Sequence, residues 1–271
     1  MRRLTLAVGG VLAAVAALAT APAAQAQSTG TIYVVHGIPN TPVDVYVDGQ
    51  RAIDDFAPGT SQGPVDLPSG SHKVALFAAD APDGSGTPVL AADADLPAGG
   101  NVTLVAHLSE SGQPTITPFV NDVSSVPAGQ ARLVVRHTAA APAVDVLAAG
   151  KPVISGLSNP NEKALEVPAG TVSAAVAAAG TTQPVLGPAD LNLQEGTATF
   201  VHAVGSLQDN TLSLVAVTVS NLHSAPSGVP SGAPSGAPSE DGLPGWVMLS
   251  ATAGLLVIAL SVRRLRVDRR G

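Results

Sequence analysis

Between residues 31 and 221 the apolar positions follow two habits. Some alternate with polar residues, and others bunch into short runs, with Gly- and Pro-rich clusters interrupting them roughly every 8–12 residues. Helical periodicity is nearly absent. In the first half the pattern predicts strands over Thr31–His36, Val43–Val47, Val65–Leu67, His72–Ala79, Pro88–Ala92, Val102–Leu108 and Thr115–Val120. Turns are predicted at Gly37-Ile38-Pro39-Asn40, Pro58-Gly59-Thr60, Pro68-Ser69-Gly70, Pro82 to Gly86 and Pro97 to Gly100. Thr171–Ala179 is rich in alanine and suits a helix locally, but its match to His72–Ala79 makes it a strand. Short strands so punctuated predict an all-β sandwich.

The pattern occurs twice, about 101 residues apart. Ile32-Tyr33-Val34-Val35-His36 returns as Leu133-Val134-Val135-Arg136-His137, and Pro42-Val43-Asp44-Val45 as Ala143-Val144-Asp145-Val146. Val65 to Gly70 matches Leu165 to Gly170, and Pro88-Val89-Leu90 matches Pro184-Val185-Leu186. This period exceeds that of solenoid repeats and is the size of one small domain. Two tandem immunoglobulin-like β-sandwich modules are expected, over residues 30–122 and 129–221. The junction Asn121 to Gln130 is short enough that the modules should touch.

The ends read differently. Arg2-Arg3, the apolar stretch Leu4 to Thr20 and the small-x-small triplet Ala24-Gln25-Ala26 form a secretory signal peptide over residues 1–26. Residues 222–245 repeat Pro-Ser-Gly, cannot bury a core, and predict an extended disordered stalk. Trp246 to Val262 carries no charge and spans about 25 Å as a helix, close to a ~30 Å hydrocarbon core. The basic segment 263–271 follows it, so a single-pass transmembrane helix with a cytoplasmic tail and extracellular modules is expected. Leu243-Pro244-Gly245 lacks the Thr of a wall-sorting motif, which favours retention in the membrane over sortase processing.

Composition sharpens this picture. Cysteine is absent, so each module must depend on its own apolar core. The Ala and Arg bias fits a GC-rich bacterial genome. Residues 27–242 carry nineteen acidic against six basic side chains, a net of −13. Such an ectodomain argues against nucleic acid and against docking on anionic lipid. It has six aromatic residues, Tyr33, Tyr46, Phe56, Phe77, Phe119 and Phe200, and no evident platform of exposed rings for sugars or single strands.

The candidate chemistry lies in the repeated His-to-Asp spacing. Alternation puts Leu133, Val135 and His137 on the inward face of their strand and Arg132 and Arg136 on the other, with His36 inward by register. A buried imidazole needs a hydrogen-bond partner, and Asp44 and Asp145 are the nearest candidates by sequence. The expectation is two structural pairs, His36 with Asp44 and His137 with Asp145, pinning equivalent turns. One His and one carboxylate are too few for a metal site, so neither a metal nor another cofactor is expected. Gly59-Thr60-Ser61-Gln62-Gly63 matches a nucleophile-elbow pattern but leads into a strand between two prolines, and reads as a loop. Asp80, Asp83 and the glycines near Ser85 fit no EF-hand spacing and read as a solvated turn.

Val34-Val35-His36 through Pro42-Val43-Asp44-Val45, then Leu67-Pro68-Ser69-Gly70, resemble the domain of unknown function 4397 family. Its members carry a strand ending in His, a Pro-rich turn, an Asp-Val strand start and a later Pro-Ala-Gly turn. Asp122 followed by Ala131 to His137 resembles the passage into a next module, so the resemblance extends over roughly Thr31 to Asn221. The second module departs at Arg136 and at Ala140-Ala141-Pro142. The resemblance implies an exported bacterial protein and no established activity or catalytic residue.

The expected function is therefore a non-enzymatic adhesion, scaffold or ligand-binding role at the cell membrane, with an envelope protein or glycan as partner. An envelope enzyme or metal-dependent binder using the His/Asp pairs is one alternative. A docking subunit of an envelope complex is another.

Overall fold

The computed structural model describes residues 28–224; the segments expected as a signal peptide, a transmembrane helix and a basic tail, and nearly all of the expected stalk, lie outside the described residues. Among the described residues every regular element is a strand, and no helix is long and apolar enough to cross a membrane. The first eight strands are β1 (Thr29–His36), β2 (Val43–Val47), β3 (Gln50–Phe56), β4 (Thr60–Pro68), β5 (Gly70–Ala78), β6 (Leu90–Leu96), β7 (Asn101–Leu108) and β8 (Pro114–Val120). The second eight are β9 (Gln130–His137), β10 (Val144–Ala148), β11 (Lys151–Leu157), β12 (Glu162–Pro168), β13 (Gly170–Ala178), β14 (Pro184–Leu193), β15 (Ala198–Val204) and β16 (Ser213–Val219).

Four four-stranded sheets result, two per module. The first module has β4-β1-β7-β8 and β3-β2-β5-β6; the second has β12-β9-β15-β16 and β11-β10-β13-β14. The modules correspond strand for strand, including the parallel pairings β1 with β7 and β9 with β15. The strand order differs from that of a constant-type immunoglobulin domain, whose seven strands divide as A-B-E-D and C-F-G.

Alternation along β1 and β9 explains how the layers stack. Ile32 and Val34 pack into the core of the first module and Leu133 and Val135 into that of the second. The intervening Tyr33, Val35 and Val134 face away from those cores and join Val105, Phe119, Phe200, Val204, Val215 and Val217 in a third apolar layer. This layer contains side chains from both modules, so β4-β1-β7-β8 packs against β12-β9-β15-β16. Strands β7 and β15 are consequently buried on both faces along their whole length. Their near-continuous apolar sequence is what such burial requires. The short junction brings the modules into contact, as expected.

The pattern predicts seven strands per module, and the structure has eight. The additional β3 is an edge strand with mostly exposed residues, and only Ile53 and Phe56 turn towards the core. Their spacing of three, where a regular strand has two, comes from a β-bulge at Asp54-Asp55, where Asp55 adopts φ 49°. Strand β11 repeats the device with Ile154, Leu157 and Gly156 at φ 65°. The alanine-rich segment forms β13, as the repeat predicts. Ser61 of the elbow-like motif lies on β4 and not in a loop.

Candidate functional site

The repeated histidines end β1 and β9, and each is fully buried. His36 Nε2–H donates to the carbonyl of Thr41 (2.7 Å), and His137 Nε2–H donates to that of Pro142 (3.0 Å). Each ring thus closes the loop between its strand and the next. His36 also leans on Phe56, with ring centroids 5.4 Å apart, and its Nδ1 has no hydrogen-bond partner. His137 Nδ1 receives a long contact from the amide of Ala139 (3.4 Å).

The expected His–Asp bonds are not formed. Val43 and Val45 face the first module's core, so alternation along β2 turns Asp44 to the opposite face of the sheet, away from His36. There Asp44 Oδ1 accepts the amide of the bulge residue Asp55 (3.0 Å), and Arg51 approaches Oδ2 (3.4 Å). Asp145 does the same for its own bulge, accepting from Gly156 N–H (2.8 Å) and Gly180 N–H (2.9 Å). Both residue types are pins, but they pin different features. The histidine holds a loop and the aspartate holds a bulge.

Two other polar groupings lie on the first module. Asp44, Asp54 and Asp55 bring one carboxylate oxygen each within 4.8 Å of the others, but Arg51 already bonds Asp54 (2.7 Å) among them. This is an ion-pair cluster at the edge strand, with Asp54 and Asp55 exposed and Asp44 buried beneath them. Asp83 accepts from the amide of Ser85 (2.9 Å), the solvated turn the sequence implies.

The layer between the modules holds the most unusual chemistry. Arg136 occupies the position of Val35 in the repeat and has no solvent exposure. Its guanidinium lies between Phe119 and Phe200, 4.5 and 4.7 Å from the ring centroids. It donates to Glu162 (2.7 Å), Asn121 Oδ1 (2.8 Å) and His202 Nε2 (3.2 Å). Asn121 in turn donates to Asn101 (2.5 Å) and Thr103 (2.9 Å) of the first module. Arg132 ties Glu166 (2.8 Å) to the junction carbonyls of Asp122 (3.0 Å) and Ser124 (3.1 Å). Asn159 reaches across to Leu108 O (2.8 Å) while also holding Ala139 O (2.7 Å). The polar groups at the contact are thus largely satisfied, as a buried polar network must be to tolerate its surroundings.

Burial sets the protonation of the histidines. It pushes His36, His107 and His137 below the ordinary imidazole value. His202 falls to about 3, through burial first and the Arg136 charge second. His72 moves up because Asp48 accepts from its ring (2.6 Å).

Residues 30–147 match the family described as Domain of unknown function (DUF4397). The match supports that family. It covers the first module and stops within β10, short of the reach the sequence resemblance suggests. No curated protein matches the chain.

The sequence pattern does not mark His107, on β7. Its Nδ1–H donates to Leu108 O (2.9 Å), and its Nε2 faces the hydroxyl of Thr117 on β8 (2.8 Å). Among the described residues it is the one imidazole bonded to a hydroxyl. No repeat partner marks it, because the β15 residue at its register is Val204. Arg136 was visible as a departure from the repeat, but its role depends on the facing sheet of the other module.

Proposed function

We propose that this chain is an exported, single-pass membrane protein that displays two tandem family modules as one body on a Pro/Ser/Gly stalk, in a non-enzymatic adhesion, scaffold or ligand-binding role. The observation that carries the reading is the shared apolar layer. Burying Tyr33, Val35, Phe119, Phe200 and the Arg136 network between the modules favours a stiff pair over two beads on a string. Stiffness suits presentation at a distance from the membrane. The repeated His and Asp side chains are engaged in holding backbone, which supports a structural role for them over a catalytic or metal-binding one. The strand-for-strand correspondence of β1–β8 with β9–β16 supports reading the second module as a second copy of the family domain. The immunoglobulin-like label applies at the level of two packed sheets. The partner in this reading is an envelope protein or glycan.

Protease added to intact cells tests the arrangement. It should remove the modules and spare the segment 263–270. Recovery of the whole ectodomain from the medium, with none on the membrane, contradicts the anchor. A pull-down of envelope extracts with the intact protein then tests the binding role.

A further inference from the structure

We propose that the cleft at the module boundary binds a short, uncharged oligosaccharide. It is an open, polar groove of about 740 Å³ between the β7–β8 loop of the first module and Asn159-Pro160 of the second. Its width admits a short chain of rings lying along the surface and leaves much of such a ligand in water. The cleft requires both modules, because Asn159 fixes the second wall by its bonds to Leu108 O and Ala139 O.

The chemistry of the lining selects the ligand. His107 is buried at the cleft, and its Nδ1–H is committed to Leu108 O. Its Nε2 therefore accepts the Thr117 hydroxyl proton and leaves that oxygen as an acceptor. Glu110 supplies two more acceptor atoms, and Gln113 and Thr115 each donate and accept. The side chains of Glu110, Gln113 and Thr115 make no hydrogen bond among the described residues, so they are free for a ligand. A polyhydroxylated ligand, whose hydroxyls donate to such acceptors and accept in return, is the complement.

Other classes fit less well. No Lys or Arg lines the cleft, and Glu110 is negative, so phosphates and other anions lack a counter-charge. One exposed carboxylate without an aromatic cage is a poor cation site. A peptide adding to the β8 edge meets Pro114 and Pro118, which interrupt backbone pairing. No Phe, Tyr or Trp lines the cleft and the His107 ring is buried, so stacking contributes little; Pro114 and Pro160 supply the apolar contact, and the affinity should be weak.

The proposal deepens the ligand-binding reading by naming a site and a ligand class. Its test is independent of where the chain resides. Full-length protein, kept in a detergent without a sugar headgroup, is titrated with maltotriose, cellotriose and chitotriose by saturation-transfer NMR and calorimetry. Inorganic phosphate and tetramethylammonium serve as charged comparators. At least one trisaccharide should bind. The double variant Glu110→Ala/Gln113→Ala, at exposed loop positions, should weaken it by about tenfold or more with an unchanged melting temperature. Thr117→Val should weaken binding too, whereas Asp93→Asn on β6 should leave it intact. The proposal is overturned if no trisaccharide binds, if the double variant binds as wild type does, or if only a charged comparator binds. A negative result here leaves the protease topology untouched, and a failed topology leaves a positive titration standing.

Discussion

Replacing Arg136 probes the contact between the modules most sharply. Arg136→Ala removes a guanidinium held between two aromatic rings and leaves a gap in a layer that has no solvent access. Two cation–π contacts in a desolvated setting contribute on the order of 1 kcal/mol each. Lost packing and the stranded acceptor on His202 Nε2 add about 1–3 kcal/mol. Glu162 loses its partner, but its side chain is 39% exposed and water can take over. That moderates the ~3–5 kcal/mol expected for breaking a fully buried pair. The expected loss is therefore about 3 kcal/mol, or a melting temperature lower by about 6–12 °C in a body of this size. Arg136→Met fills the slot, replaces the cation–π contacts with sulfur–aromatic ones of similar size, leaves half-exposed Glu162 to water and strands the His202 acceptor, so it should cost about 1–2 kcal/mol. Urea denaturation of both variants measures the difference. If alanine and methionine cost the same, packing between the rings is not what Arg136 contributes. If neither costs anything, the interface argument fails.

Other consequences follow from the pins and the histidines. His36→Ala and His137→Ala should each lose about 1–3 kcal/mol by releasing the loops tied through Thr41 and Pro142, and chelators should leave the thermal melts of both unchanged. Asp145→Ala strands the amides of Gly156 and Gly180 and should cost about 2–4 kcal/mol, while Asp145→Asn, which keeps one acceptor, should recover about half by the same melts. For pH, the buried histidines are neutral in the fold and carry pKa values below the ordinary ~6.5 of an unfolded chain. The unfolded state binds more protons below that value, so stability should fall as pH drops from about 6.5 towards the His202 value of about 3. His72, raised by Asp48, acts oppositely: its contribution is complete below ~6.5 and is lost as pH rises through its folded value. Melting temperatures across this range should show the net acid loss, and His72→Ala should leave that slope unchanged while abolishing the His72-linked loss of stability as pH rises above ~6.5.

Much of the fold is legible in the sequence because each sandwich obeys alternation and is written twice. Ile32, Val34 and His36 face inward, and so do Leu133, Val135 and His137, as the period of two requires. The bulged edge strands β3 and β11 escape that rule because a bulge changes the core spacing from two to three. The histidines are found by repetition, but their partners are not. Thr41 and Pro142 offer backbone carbonyls, which no side-chain pattern records. Asp44 looked like a partner because it is near in sequence, whereas strand geometry turns it to the other face. The Arg136 network and the His107 cleft join residues from different modules. Both depend on a docking geometry set by Val35, Phe119, Phe200 and Val217, and the spacing of residues within one module does not encode it.

Scanning calorimetry of the intact protein tests the central claim that the two modules form one body. A shared layer of apolar side chains around a buried arginine predicts a single unfolding transition, with calorimetric and van't Hoff enthalpies equal. Two separate transitions, each with the enthalpy of one module, contradict it.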